Sequence, residues 1–576
     1  MIDISSFHGE IPKVSDKLLP ENYASSAVNC DLQEGQLKPT KIATSEQDVE
    51  AGAESIYRIG EQWLQWNNKI NVVTSLVYNS GGRIIYTGDV YPQETNVDLG
   101  IGVSAPYPTA SRRLGIVAPT TKLTSAIETA GSSSETRDTS YVFTRVGEWE
   151  DGTIVESAPS LASTVTNYKM DDEINLTGFT DDTSTGAYTT HYYIYRINTG
   201  GTGAEYQYVA KILTTTNPLE YDDSVADDDL GEVLPTTGWT VPIEDLKGII
   251  TASNGLLFAF DDNTVYVSET FITYAFPTAY AIPVESEIVG LGYSGSAVVV
   301  LTKTRPYMIY GTDPASLSIE QTPFDLPCKS ARSIVSIPSG VIYASTTGLV
   351  LVDSGGNADT LTKDIYTKEQ WEDLLPENIF AFYYNDAYVA FFDGTTQGIE
   401  FKPGDSGIRR FTAQDTLLGG KYVSTVSINV YNLLTSAGDN FITDDGYQFV
   451  ITGSEYSITY DTLYLIQQKD AVREIVAWES GALQDLTWAS KEFSFTSQKV
   501  FTAGMVVGDF TEGDLSLSLY IDDRLSFSKT ISNEDVFRIT NPKRGTLFKV
   551  VLSGKTTVDR VLIGQSVDEV VTAYGK

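Results

Sequence analysis

The sequence predicts an all-β protein, a β-propeller that carries one inserted and one C-terminal β-sandwich. Three observations predict it. Apolar residues alternate over short runs closed by Asn-Gly, Ser-Gly, Asp-Gly and Gly-Gly, the pattern of many short antiparallel strands. Four central segments repeat at a spacing that suits propeller blades. Helix signals are scarce.

In chain order, residues 1–136 read as an N-terminal segment followed by the first blade or blades. A short helix is expected over Glu21–Val28, opening at Pro20. IYRIGEQWLQWNNKINVV from Ile56 is a weak copy of the repeat. Residues 137–242 break the period. YVFTRVGEWEDGTIVESAPS and HYYIYRINTGGTGAEYQYVAKIL have longer strands, and the alternation through Tyr192, Tyr195 and Ile197 suits a sandwich face. This stretch resembles an inserted fibronectin-III-like β-sandwich.

Residues 243–484 hold the main blades. The repeats are IITASNGLLFAF from Ile249, IVGLGYSGSAVVVL from Ile288, IVSIPSGVIYAS from Ile334 and IFAFYYNDAYVAFF from Ile379. Each places a turn between two apolar strands: Asn254-Gly255, Ser294-Gly295, Ser339-Gly340 and Asn385-Asp386. These dipeptides tolerate the positive φ of hairpins. One such unit cannot bury both faces alone, so the copies are expected to pack radially. DNFITDDGYQFVITGSEYSITY from Asp439 is a further candidate copy. In TKEQWEDLLP, Thr367 and Gln370 form a capping-box pattern and Pro376 ends the run, so a helix is expected there. From 485 onward LSLSLYIDD, VFRIT, LFKVVLSG and VDRVLIGQS alternate with period two, which predicts the terminal sandwich or closing strands.

The chain has 576 residues, 39 Lys+Arg against 76 Asp+Glu, and a formal net charge of −37. Tight nucleic-acid binding and anionic membranes are disfavoured, because both need Lys and Arg. MIDISSFHGEIPKVSDKLL lacks a basic and apolar signal region, and stretches such as Ser296–Thr302 are too short to span a bilayer. A soluble protein made in the cytoplasm is expected, with no membrane insertion.

Catalytic raw material is sparse. The two histidines, His8 and His191, belong to no metal-binding or triad spacing and read as structural or surface residues. Cys30 and Cys328 read as two buried thiols, with a single long-range disulfide as the alternative. Gly290-Leu291-Gly292-Tyr293-Ser294-Gly295 matches GxGxxG, but a β-branched strand follows where a dinucleotide fold needs a helix, so a hairpin is expected. No GxxxxGK[ST] phosphate cradle is present. Asp222-Asp223 and Asp227-Asp228-Asp229 offer hard oxygen ligands without an EF-hand order, and a solvated loop is expected. The expectation is no enzyme, with no catalytic, cofactor-binding or metal-binding residues and no cofactor.

The first forty residues carry a family resemblance. Phe7, Gly9, Pro12, Leu18, Leu19, Pro20, Ala24, Ala27, Asn29, Gly35, Leu37 and Pro39 stand in an order that resembles the opening of tail nozzle proteins (tail tubular protein B-like) of short-tailed bacteriophages. VYVSETFITYAFPTAY, EIVGLGYSGSAVVVLTKTRPYMIYGTDPASLS, CKSARSIV, VIYASTTGLVLV and FRIT…LSGKTTVDRV continue it in the family's order. Ala275-Phe276-Pro277 departs where the family often has tryptophan. The resemblance implies a structural virion protein of the viral tail. It implies a homo-hexameric ring below an adaptor (head-to-tail connector) protein, docking tail fibres or spikes, with genomic DNA passing through the lumen during ejection without specific binding. The alternative reading is a glycan-binding or glycan-cleaving β-propeller protein of a phage tail or cell surface.

Overall fold

The computed structural model describes residues 1–575 apart from 33, 77–81, 201–202, 406, 428–429, 433–449 and 453–456. Most of the candidate copy from Asp439 lies outside the described residues. Contacts divide the chain into two units, Met1–Ile56 with Leu361–Lys576, and Tyr57–Thr360.

The unit Tyr57–Thr360 holds four antiparallel four-stranded sheets. The first is Asn71–Thr74, Ile84–Thr87, Gln93–Thr95 and Arg112–Arg113, and the second is Lys247–Thr251, Leu257–Asp261, Thr264–Val267 and Ile282–Pro283. The third runs from Ile288–Tyr293 to Ser318–Gln321 and the fourth from Val335–Ile337 to Ala358–Thr360. The opening strand of each sheet packs against the opening strand of the next, the arrangement of propeller blades around an axis. Apolar layers fill the gaps: Ile85, Leu257 and Phe276 between the first and second blades, Phe258, Val265 and Val298 between the second and third, and Val299, Met308 and Val341 between the third and fourth. The protein is an all-β propeller protein.

The GxGxxG stretch is a hairpin inside this stack, Ile288–Tyr293 followed by Ala297–Thr302. Each glycine has a structural reason. A Cβ on Gly290 would lie 2.4 Å from Ile334 Cδ1, and one on Gly292 2.6 Å from Val341 Cγ1, both on the neighbouring blade. Gly295 turns the chain at φ 87°.

The weak copy from Ile56 is offset from the blade it precedes. Ser55–Ile59 and Gln62–Trp66 pair as a separate hairpin, and the first blade starts only at Asn71. Trp66 and Leu64 of that hairpin bury against Ile84 and Tyr86 of the blade, so an aromatic hairpin can imitate the repeat while capping it.

The inserted sandwich begins earlier than residue 137. Thr124–Thr129 pairs with Glu173–Thr177, which pairs with Tyr221–Asp223. The facing sheet has the order Ile154–Glu156, Tyr141–Glu148, His191–Gly200, Gly203–Leu213. Phe143, Tyr192 and Ile194 of one sheet meet Ile174 and Leu176 of the other.

The unit formed by Met1–Ile56 with Leu361–Lys576 contains an antiparallel run of blade pattern, Ile379–Tyr384, Ala387–Phe392, Thr395–Phe401 and Arg409–Ser427. Its helix Lys368–Glu372 carries the full capping box between Thr367 and Gln370. The same unit holds the terminal sandwich, and here the N-terminus matters. Ile2–Ile4 pairs with Thr557–Gly564, and Tyr23–Val28 pairs with Leu486–Ser490. The expected helix over Glu21–Val28 is therefore corrected to a strand. Ser25 Oγ donates to Ser490 O at 2.9 Å, Ala27 N–H donates to the Glu10 carboxylate, and Ala24 and Ala27 bury in the sandwich core. Partners distant in sequence override the weak local preference of Ala and Ser.

Candidate functional site

The residues that carry the family resemblance mostly serve the terminal sandwich. Phe7 meets Trp488 edge-on at 5.0 Å, and Leu37 is buried in the same core. A Cβ on Gly9 would lie 2.3 Å from Ile408 O, and Pro12 O accepts Gln370 Nε2 at 2.8 Å. Asn29 sits at φ 56° and its Oδ1 accepts the Thr412 N–H at 2.8 Å. Leu18 is exposed. These residues knit strands together and form no reactive constellation.

The acidic loop Tyr221–Asp229 is only partly solvated, which corrects the expectation. Arg196 Nη1 donates to Asp223 Oδ2 at 2.7 Å and Nη2 to Asp227 Oδ1 at 3.0 Å. Tyr141 donates to Asp223 at 2.7 Å, and Arg137 also engages Asp227. Arg196 and Asp223 expose only 3% and 0% of their side chains. Burial, then the Asp223 charge, pushes the Tyr141 hydroxyl far above its ordinary pKa, so it stays a hydrogen-bond donor. Asp228 and Asp229 remain exposed. Among the described residues no group of three or more His, Cys, Asp or Glu is arranged to hold a metal ion.

His191 is buried, and desolvation lowers its pKa to about 4. Its Nδ1 lies 2.8 Å from Thr190 Oγ1. His8 stacks on Tyr23 at 4.8 Å. Both cysteines are buried free thiols, and burial raises Cys328 to about 12. Neither His191 nor either of the two thiols is poised as a base or nucleophile at neutral pH.

A cleft of about 260 Å³ gathers carboxylates and aromatics: Asp31, Glu400, Glu479, Tyr384 and Trp478 around Arg409. Arg409 engages Glu400 and donates to Asp31 Oδ1 at 3.1 Å and to Cys30 O at 3.2 Å. Two of the three acids are thus held as ion pairs. Glu479 is raised to about 7 by burial, which the nearby Arg409 charge partly offsets.

The most distinctive element is an arm on the sheet that opens at Ile379. Strand Arg409–Ser427 outruns its blade neighbours and pairs with Ser457–Lys469 from Thr416 to Ser427. At about 3.4 Å per residue this paired stretch spans roughly 37 Å. Lys469–Tyr464 also pairs with Val472–Ala477, but from Val423 and Thr462 outward the arm is a two-stranded ribbon. Val430–Asn432 and Val450–Thr452 continue the pairing. Between Lys421 and Lys469 the sequence contains five acids and no Lys, Arg or His.

A second feature escaped sequence reading, the joint between the inserted sandwich and the first blade. Trp149 of the insertion lies between Arg83 and Arg112 of the blade, with guanidinium carbons 4.2 and 4.1 Å from its ring. Arg83 Nη2 donates to Asp151 Oδ2 at 2.6 Å, and Tyr188 donates to Glu94 at 3.0 Å. Burial, offset by Arg83, raises Glu94 to about 7. These residues are far apart in sequence, so no local pattern marks the joint.

No family model matches the chain, and no curated protein does. Solved structures give weak likenesses. The WD40 domain of Neurospora crassa Pan2 is 8% identical over 55% of this chain and 86% of that one, with TM-score 0.25. An exo-beta-1,3-galactanase from Phanerochaete chrysosporium is 8% identical over 91% and 100%, with TM-score 0.19. PorZ of Porphyromonas gingivalis, a surface component of the type-IX secretion system, is 8% identical over 75% and 52%, with TM-score 0.19. At such scores the fold rests on the strand pairing itself, and none of these proteins lends its activity to this chain. No described helix is long and apolar enough to cross a membrane.

Proposed function

We propose that this chain is a structural virion protein, the tail nozzle of a short-tailed bacteriophage. Six copies form a ring below the adaptor protein, the genome leaves through its lumen, and the outer surface docks fibres or spikes. The observation that carries the reading is the arm. It is a long two-stranded ribbon, marginal on its own in water and therefore suited to packing against neighbouring copies. Outward of Lys421 and Lys469 its sequence carries no cation, which leaves DNA phosphates nothing to bind as they pass. The ordered N-terminal resemblance supports the same reading. Gating is a population shift of the arms biased by contacts elsewhere in the tail.

The glycan-cleaving reading gains little from the Arg409 cleft, because Asp31 and Glu400 are tied to arginine and not left as a free acid–base pair. The experiment is complementation: purified protein added to a nozzle-deficient lysate restores infectivity to DNA-filled, leaky heads. Correctly folded protein that restores nothing contradicts the proposal. A glycan-cleaving protein would instead depolymerise host polysaccharide.

A further inference from the structure

Charge is unevenly spread along the chain. Residues 117–242 carry 20 acids and 6 bases, whereas residues 485–576 carry 12 and 11. In the terminal sandwich the strand register gathers four cations at one end. Lys499 faces Gly545 across paired strands, Lys543 and Arg544 directly precede that glycine, and Arg524 faces Ile521 in the adjoining hairpin. A Cβ on Gly545 would lie 2.2 Å from Ile521 Cγ2, so the two turns abut.

Arg524, Lys543 and Arg544 are exposed and Lys499 is half-buried. None of the four has an ion-pair partner among the described residues. Two of the nearby carboxylates are already engaged. Asp522 accepts the Thr546 and Leu547 N–H groups at 3.1 and 3.0 Å, and Asp16 pairs with Lys549 at 2.8 Å.

The inserted sandwich presents the opposite surface. In its three-stranded sheet Ile174, Leu176 and Asp223 are buried, so the alternate positions Glu173, Asn175 and Asp222 face outward. Glu128 is exposed on the neighbouring strand. Thr129 Oγ1 donates to Glu173 at 2.9 Å and Asn175 Nδ2 to Asp222 at 2.8 Å, which fixes two of the carboxylates. No Lys or Arg stands on these three strands.

We propose that the cationic end formed by Lys499, Arg524, Lys543 and Arg544 docks on the carboxylate sheet face, Glu128, Glu173 and Asp222, of a second copy of this chain. Two different patches of one chain meeting across copies make a heterologous contact, the type that closes rings. Ring closure rests on the nozzle reading, whereas the pairing of patches rests on charge complementarity, which steers encounter and fixes register. A nucleic acid is the poorer occupant, because the remaining surface of a chain with net charge −37 repels phosphate.

Sedimentation of the full chain tests this. The wild type assembles at low salt and dissociates as salt rises. The K499E/R524E/K543E/R544E variant, with an unchanged circular dichroism spectrum, associates roughly tenfold or more weakly. Mixing it with E128K/E173K/D222K restores association that neither variant shows alone. A quadruple variant that assembles like wild type overturns the interface while leaving the nozzle reading intact. A wild type that stays monomeric at every salt concentration and is absent from purified tails overturns both. Duplex oligonucleotide binding that the quadruple variant abolishes assigns the patch to DNA and overturns the pairing.

Discussion

The two sandwiches share a layout and differ in what fills them. The terminal sandwich is closed by Phe7, Trp488, Leu517, Phe548 and Leu552, an apolar core completed by strands from the N-terminus. The inserted sandwich has an aromatic core too, but threads Arg196, Asp223 and Tyr141 through it and keeps a buried histidine. A buried ion pair is weak evidence for stability, since desolving two charges offsets most of their attraction. Its effect is to make the insertion's strand ends specific, holding the loop Tyr221–Asp229 to the sheet. The terminal sandwich instead gains its specificity from covalent distance, because residues 2–28 must fold back on residues 486–563.

The comparison breaks most sharply where one charge is removed. Arg196→Ala leaves Asp223 buried and unpaired and costs about 3–5 kcal/mol, read as a lowered urea midpoint for the insertion. Arg196→Met with Asp223→Leu and Tyr141→Phe comes out near neutral if packing is kept. The counterpart in the terminal sandwich is Trp488→Ala, expected to cost about 3–5 kcal/mol through the cavity it opens beneath Phe7. Calorimetry that shows the same transition lowered by both variants contradicts two separately stabilised sandwiches. Ile4→Ala is expected to cost about 2–5 kcal/mol and to expose the Thr557–Gly564 strand to proteolysis.

The pH response sharpens the same contrast. The pKa of His191 is depressed in the folded chain to about 4, below its unfolded value. Stability from keeping it neutral is fully present above that unfolded value and is lost as pH falls toward 4. Denaturation monitored between pH 7 and pH 4 therefore weakens the insertion, and His191→Gln flattens that part of the curve. The smallest effect is a cap: Ser566→Ala removes the acceptor of the Glu569 N–H and costs about 1 kcal/mol of the helix Val567–Tyr574. Hydrogen exchange at that helix measures it.

Much of the fold was legible because hairpin turns have a local chemistry. Asn254-Gly255, Ser294-Gly295, Ser339-Gly340 and Asn385-Asp386 all place positive φ where the repeat requires it. The capping box at Thr367 was legible for the same reason. What sequence reading missed depends on distant partners. Tyr23–Val28 is a strand only because Leu486–Ser490 lies beside it. Asp223 is buried only because Arg196 and Tyr141 stand opposite. The arm went unnoticed because its extent is set by a partner strand some forty residues away, while its want of cations is visible only once the ribbon defines where to look. The Trp149 joint combines residues from two strands of a blade and a loop of the insertion.

Localisation within the particle tests the central claim most directly. On the nozzle proposal, electron cryo-microscopy of purified particles that contain this chain shows its propeller and sandwiches as a six-fold ring at the distal end of a tail, with the arms from Val423 outward lining the channel. Density for the chain off the tail axis, in fibres or in no part of the virion, would contradict it.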